Sequence, residues 1–372
     1  MTDLNAFDHH PRTRLVFGAG TLQKLGALAS DLGGSRVLVV SDSGIVKAGH
    51  AARAIQSLQA AGLETQLFDQ VHENPSTRDV DECVAAARDF RADILVGLGG
   101  GSSMDTAKGC NFIFTNGGRM QDYWGVGKAT QSMLPLIAIP TTSGTGSECQ
   151  SFALISDEET HVKMACGDPK AAAAVAILDP ELTISQPHKV TAVTGIDAIA
   201  HALETAVTTK RNPVSALYSL ESFRYLRAGF DRVLESPTDQ EARSFMLLGA
   251  AFAGTAIENS MLGAAHSCAN PLTAKFGTVH GQAVGLMLPH VIRFNSERSE
   301  IASIYAAYGE HLPEQVQHWL RAAGLSVRLS ELGVTEADVP GLAAGAAKQW
   351  TANFNPRPVS EADFAAIYRA AL

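Results

Sequence analysis

The sequence predicts an α/β half, built on a parallel sheet covered on both faces, followed by an all-helical half. Three observations predict this. Short β-branched runs alternate with helical stretches up to about Pro180. Strand-like runs then stop, and alanine- and leucine-rich helical patterns continue to Leu372. A length of 372 residues is also more than one ordinary core and fits two domains. The boundary is expected near residues 180–185, giving domains of 1–182 and 183–372.

Arg36–Ser41 (RVLVVS), Leu63–Phe68 and Asp93–Leu98 (DILVGL) read as strands, as do Leu134–Ile139 and Val175–Leu178. Apolar runs of this kind, separated by helices, belong to parallel sheets buried on both sides. Ile45–Ala61 and Arg78–Phe90 carry apolar residues at helical spacing, with Ser76 and Thr77 both suited to cap the second helix. Phe152–Cys166 reads as two short strands around an Asp157-Glu158-Glu159-Thr160 turn. The sequence holds no internal repeat and no low-complexity tract.

A content of 46% hydrophobic and 18% charged residues is that of a folded globular chain. The net charge of −9, from 29 basic and 38 acidic residues, repels polyanions and excludes nucleic-acid binding as a main role. No apolar stretch approaches the ~18 residues of a membrane span. The start, Met1 to His10, has no basic flank followed by an apolar run, so no signal peptide is expected. Five scattered cysteines without a Cys-x-x-Cys give neither a disulfide framework nor a cysteine zinc site, and a reducing cytoplasm is expected.

The strand at Asp93–Leu98 runs into Gly99-Gly100-Gly101-Ser102-Ser103-Met104-Asp105-Thr106-Ala107-Lys108. Glycines there let the backbone turn tightly, and the next helix aims its free N–H groups at the same spot, which favours a phosphate. The third glycine of the usual dinucleotide fingerprint is not filled, and no Walker loop is present. A tight strand-to-helix turn without a ligand is the alternative. A second loop, Pro140-Thr141-Thr142-Ser143-Gly144-Thr145-Gly146-Ser147-Glu148, also follows a strand. Two such loops on the carboxyl edge of a parallel sheet favour a dinucleotide. Asp42, after Arg36–Ser41, can accept from an adenosine ribose, although aspartate is also a common turn residue.

In the helical half, Asp197 and His201 lie four apart, on one helical face and within reach of a shared cation. The same pair also reads as a capping aspartate and a core histidine. His266 sits among small residues, and His280-Gly281 follows fourteen positions later. Three imidazoles and a carboxylate suit Fe(II) or Zn(II) with a position open to a substrate oxygen. His72, His161, His188 and His290 lack comparable partners and read as surface or core residues.

These motifs, in this order, resemble the iron-containing (group III) alcohol dehydrogenases, a family that includes lactaldehyde reductase (propanediol oxidoreductase). The resemblance runs from Phe17-Gly18-Ala19-Gly20 through Gly99–Lys108, Pro140–Glu148, Gly195–Glu204 and His266–Asn295 to Asn355-Pro356-Arg357. It implies a Rossmann-like N-terminal domain and a helical C-terminal domain, a dehydroquinate synthase-like architecture, with metal and nicotinamide in the cleft between them. The implied metal ligands are Asp197, His201, His266 and His280. The implied dinucleotide contacts are Asp42, Asn74, Gly99, Gly100, Gly101, Ser102, Asp105, Thr141, Thr142, Thr145, Ser147 and Lys163. One position departs: where the family commonly carries a further histidine, four residues after the third ligand, this chain has Asn270. An amide cannot exchange a proton near neutral pH, so proton transfer there is not expected.

The expected activity is hydride transfer between NAD and a small primary alcohol or aldehyde. It would require one divalent metal, Fe(II) first and Zn(II) second, in a homodimer or larger homo-oligomer. Polyol or hydroxy-acid dehydrogenases share the architecture, as do maleylacetate reductases, but the latter should lack one or more ligands. A non-catalytic dinucleotide or metal sensor is the rival of another class, and intact glycine loops and ligands argue against it.

Overall fold

Val37 and Val39 face one side of a strand and Leu38 and Val40 the other; all four are fully buried, in two separate apolar clusters. A strand buried on both faces belongs in the middle of a covered parallel sheet. The computed structural model describes residues 6–372. Residues 1–5, part of the stretch read above for a leader, lie outside the described residues.

The strands are β1 (Arg14–Phe17), β2 (Arg36–Val40), β3 (Glu64–Phe68), β4 (Ile94–Gly99), β5 (Gly125–Val126), β6 (Leu136–Pro140), β7 (Phe152–Ser156), β8 (Lys163–Gly167) and β9 (Val175–Leu178). Six form an all-parallel sheet in the order β1-β9-β6-β4-β2-β3. The predicted hairpin is β7 and β8, antiparallel, with β5 added alongside β8. Helices α1 (Leu25–Asp31), α2 (Ser43–Lys47), α3 (His50–Ala60), α4 (Thr77–Phe90) and α5 (Gly101–Asn116) belong to this part.

Two expectations change here. The helix expected over Ile45–Ala61 is two helices, because Gly49 takes a left-handed conformation (φ 82°) that ends α2 and starts α3 afresh. β1 and β5 were not expected at all. By contrast, α4 begins as read, with Ser76 and Asp79 forming a capping box.

The described residues divide into two units. One is His10–Thr142 with Gly146–Gln186; the other is Ser143–Thr145 and Pro187–Leu372, with a short N-terminal segment ending at His9. The second unit holds α6 (His188–Thr205), α7 (Pro213–Glu235), α8 (Gln240–Glu258), α9 (Ala264–Phe276), α10 (His280–Ser296), α11 (Ser299–Ala306), α12 (Leu312–Ala322), α13 (Val339–Ala347) and α14 (Glu361–Ala371). Every residue of α6 from Gly195 to Thr205 is buried. A polar side chain on that stretch must therefore find its partners inside the protein. α10 lies hard against α6: a Cβ on Gly281 would stand 2.1 Å from the Val193 carbonyl oxygen, and one on Gly285 would stand 2.2 Å from Ile196 Cγ2. Among the described residues, no helix is long and apolar enough to cross a membrane.

Candidate metal centre and dinucleotide loops

Asp197 and His201 are one turn apart on α6, so both side chains leave the same face. α9 brings His266 to that face, and α10 brings His280 as its first residue. Three imidazole nitrogens then converge on one oxygen. Asp197 Oδ1 is 3.7 Å from His201 Nε2, 3.6 Å from His266 Nε2 and 4.0 Å from His280 Nε2. The His201 and His266 rings stack at 4.9 Å. His280 stands further out, its side chain 35% exposed against 8% or less for the other three.

Asp197 Oδ1 and His266 Nε2 are buried and accept or donate no hydrogen bond. Buried polar atoms are normally satisfied, so open ones that face each other mark a place for a cation. Ligands of one ion, each about 2.1 Å from it, stand at most about 4.2 Å apart, and all three distances fall inside that limit. Asp197, His201 and His266 form a metal-competent group, their ligand atoms within 4.8 Å of one another. Burial alone would protonate Asp197, but the imidazoles around it hold its carboxyl well below the usual carboxylate range. Burial drives His201 down, against the pull of Asp197. It also opposes charge on His266, yet Glu204 and Asp197 push that imidazole up to about 9. The group as a whole favours one more positive charge.

Glu204 was not singled out from the sequence. It accepts from His266 Nδ1, which turns Nε2 toward Asp197, and from the Ala265 N–H at 2.7 Å. Carboxylates behind ligating histidines fix the ring and its tautomer in this way. The signal was there to read: Glu204 lies three residues after His201 and seven after Asp197, on the same face of one helix.

The first glycine loop closes β4 and opens α5. Gly99 has φ 150°, and a Cβ on it would stand 2.4 Å from Ser103 Oγ. Gly100 is the N-cap of α5 and offers no side-chain cap, which leaves the first-turn N–H groups of Gly101 and Ser102 to a ligand or solvent. Thr142 lies beside Gly100, and Thr141 donates its N–H to the Gly99 carbonyl at 2.9 Å. Asn74, in a left-handed conformation (φ 54°), donates its N–H to Ser102 Oγ at 3.3 Å and accepts from Lys163 Nζ at 3.3 Å. These predicted contacts come together in one unit, whereas Thr145 falls in the helical unit.

Asp42 serves here as a turn and capping residue. Oδ1 caps α2 through the N–H groups of Gly44 and Ile45, while Oδ2 faces the first loop, 3.5 Å from Ser103 Oγ. Asp105 has both oxygens engaged internally, by Ser147 Oγ at 2.6 Å and the Leu154 N–H at 3.2 Å. Lys108, unassigned in the sequence, is fully buried, and its ammonium donates to the Ser147 carbonyl (2.6 Å), Ser147 Oγ (2.8 Å) and the Phe152 carbonyl (2.9 Å). It ties α5 to the second loop and to β7.

His72 is a surface residue, its side chain 77% exposed, and its Nδ1 bonds Asp79. Asn270 lies within α9, which runs on past Pro271 to Phe276, and its amide donates to Gln349 Oε1 at 2.9 Å. A proline ring removes one helical hydrogen bond without always stopping the helix.

A glycine-rich strand-to-helix turn in one unit and an imidazole-carboxylate cluster in the other define the class: a metal- and dinucleotide-type oxidoreductase. Residues 11–180 match the family model "iron-containing alcohol dehydrogenase", and residues 191–372 match that of its C-terminal domain. The chain belongs to the iron-containing alcohol dehydrogenase family. It is 32% identical over 371 residues to the NAD-dependent methanol dehydrogenase of Bacillus methanolicus, covering 96% of this chain and 97% of that one. The solved structure of a 1,3-propanediol oxidoreductase superposes with a TM-score of 0.94 at 31% identity, over 99% of this chain and 100% of that one. A sulfoacetaldehyde reductase from Bifidobacterium kashiwanohense, solved with NAD+, gives a TM-score of 0.91 at 26% identity, over 99% of each chain.

Proposed function

We propose that the protein transfers hydride between NAD and a small primary alcohol or aldehyde, with one divalent metal held by Asp197, His201, His266 and His280. The observation that carries this reading is the convergence of three imidazoles on a buried Asp197 oxygen that has no hydrogen-bond partner. When bound, the cation polarises the substrate oxygen and the nicotinamide takes up the hydride. Iron is the first choice, with zinc equally compatible with this donor set.

The chain's own residues do the rest. Asp197 stays ionised and Glu204 holds the proton of His266 on Nδ1, so that Nε2 keeps its lone pair for the metal. The uncapped start of α5 receives the pyrophosphate, with Gly99, Gly100, Gly101 and Ser102 allowing close approach and Thr141, Thr142 and Ser147 beside it. Asn74 and Lys163 add an amide and a cation. Asp42 Oδ2 accepts from the adenosine ribose and disfavours a 2′-phosphate. Asp105 supports Ser147 from below. Asn270 offers an amide and so moves no proton. The five cysteines are free and buried, which suits a reducing cytoplasm, and a homodimer or larger assembly accords with the family.

The test is a panel of primary alcohols with Fe(II)- or Zn(II)-reconstituted protein, read as reduced-nicotinamide absorbance. Replacing His266 or His280 by alanine should remove both metal and turnover from a folded protein. Full metal occupancy in either variant sinks the ligand assignment.

A further inference from the structure

Asn355-Pro356-Arg357 stands out in the sequence and has no part in the site described so far. Its place becomes clear from the first turn of α9, which carries His266 as its third residue. The first N–H groups of a helix have no acceptor within it and need one from outside. The N-cap here is Gly263, which has no side chain to offer. Two distant side chains supply the acceptors instead. Asn355 Oδ1 takes the Ala264 N–H at 3.3 Å, and Glu204 Oε1 takes the Ala265 N–H at 2.7 Å. A Cβ on Gly263 would stand 3.1 Å from Glu204 Oε1 and 3.2 Å from Asn355 Oδ1, so glycine leaves both acceptors their room.

Asn355 is itself fixed. Its Nδ2 donates to Asn295 Oδ1 at 2.8 Å and to the Arg357 carbonyl at 2.7 Å, and its Oδ1 also accepts from Asn295 Nδ2 at 3.2 Å. The two amides are 4% and 1% exposed. A buried amide with all its polar atoms engaged has one orientation, and its acceptor is a fixed point. Asn295 belongs to α10 and Glu204 to α6. The start of α9 is thus tied to the two helices that carry Asp197, His201 and His280.

We propose that Asn355 is a positioning residue for His266: with Glu204 it registers the first turn of α9 against α6 and α10 and so sets the metal affinity of the site. This rests on the reading that Asp197, His201, His266 and His280 hold a divalent metal.

The experiment titrates metal-stripped protein with Co(II) and follows its visible absorption bands. Asn355→Ala should lower Co(II) affinity on the order of tenfold, as loss of outer support for a ligand does, and shift the bands. Arg357→Ala is the control. It removes hydrogen bonds to the Phe294 carbonyl and Glu297, and stacking 3.7 Å over the Phe294 ring, but leaves the Asn355 acceptor in place. It should keep the parent's affinity and bands. Should Asn355→Ala not fold, Asn295→Leu with Asn355→Leu carries the same test, since removing both amides leaves neither without its partner. Parent-like affinity and bands in a folded Asn355 variant overturn the proposal, as does an equal loss in Arg357→Ala. Failure of the parent to take up Co(II) overturns the ligand reading itself, and the proposal with it.

Discussion

Gly281→Ala adds one methyl where α10 touches α6, next to the residue that brings His280 to the site. The new Cβ would stand 2.1 Å from the Val193 carbonyl oxygen and 3.2 Å from Asp197 Cβ. The obstacle is backbone and cannot rotate away, so α10 must recede by roughly 1 Å to reach an ordinary contact. His280 Nε2 is now 4.0 Å from Asp197 Oδ1, just inside the limit of about 4.2 Å for two ligands of one ion. A 1 Å retreat takes it outside. Overpacking of this kind should cost about 1–3 kcal/mol of stability, and misplacing a ligand by that distance should cost on the order of a hundredfold in turnover. Metal content by elemental analysis after gel filtration, with turnover on the best alcohol, measures both. Gly341→Ala is the comparison: nothing lies within 4 Å of its Cβ, so it should gain about 0.5–1 kcal/mol of helix stability and keep its metal. Full metal content and parental turnover in Gly281→Ala would refute the reasoning, because the close helix contact would then not be what places His280.

Asp42→Asn keeps an acceptor for the Gly44 and Ile45 N–H groups and removes the charge, so the ratio of kcat/KM for NAD over NADP should fall while the fold stays intact; an unchanged ratio counts against Asp42 as the selector. Glu204→Gln presents an amide to His266 Nδ1 and invites the ring proton onto Nε2, and equilibrium dialysis should find metal affinity about 10–100-fold lower.

The central strands were legible because a strand buried on both faces must be continuously apolar, as residues 37–40 of β2 and Ile94–Gly99 are. β1 escaped notice as a four-residue edge strand with exposed ends, and β5 has only two residues. Asp197 and His201 were legible because one helix carries both, four residues apart. His266 and His280 reach them only through packing of α9 and α10, which spacing along the chain does not encode, and their assignment leaned on the family resemblance. Asn355 is further still from view: it bonds a residue 91 positions away, and nothing local in Asn355-Pro356-Arg357 announces that contact.

Three buried carboxyl groups show why burial alone could not sort the site residues from the structural ones. Asp105 accepts one hydrogen bond on each oxygen, with Lys108 Nζ 4.0 Å away. Asp197 keeps one oxygen open among three imidazoles, an arrangement that waits for a cation. Glu148 is 1% exposed, and its Oε1 too has no partner, but its own backbone N–H and Lys108 only partly offset its burial. A proton settles it instead: burial pushes its carboxyl up to about 7. The sign follows from which state holds the proton. Between the ordinary value of 4.5 and about 7 the folded chain keeps that proton while the unfolded chain has lost it. Stability from this group is therefore greatest at low pH and falls as pH rises through that window, by about 3 kcal/mol at most. Glu148→Gln is permanently neutral and escapes the loss. Urea unfolding at pH 5, 6, 7 and 8 should show the variant and the parent converging at pH 5 and the variant ahead at pH 8. Parallel curves across the range would mean that Glu148 is ionised in the folded protein and has a partner that the structure does not give it.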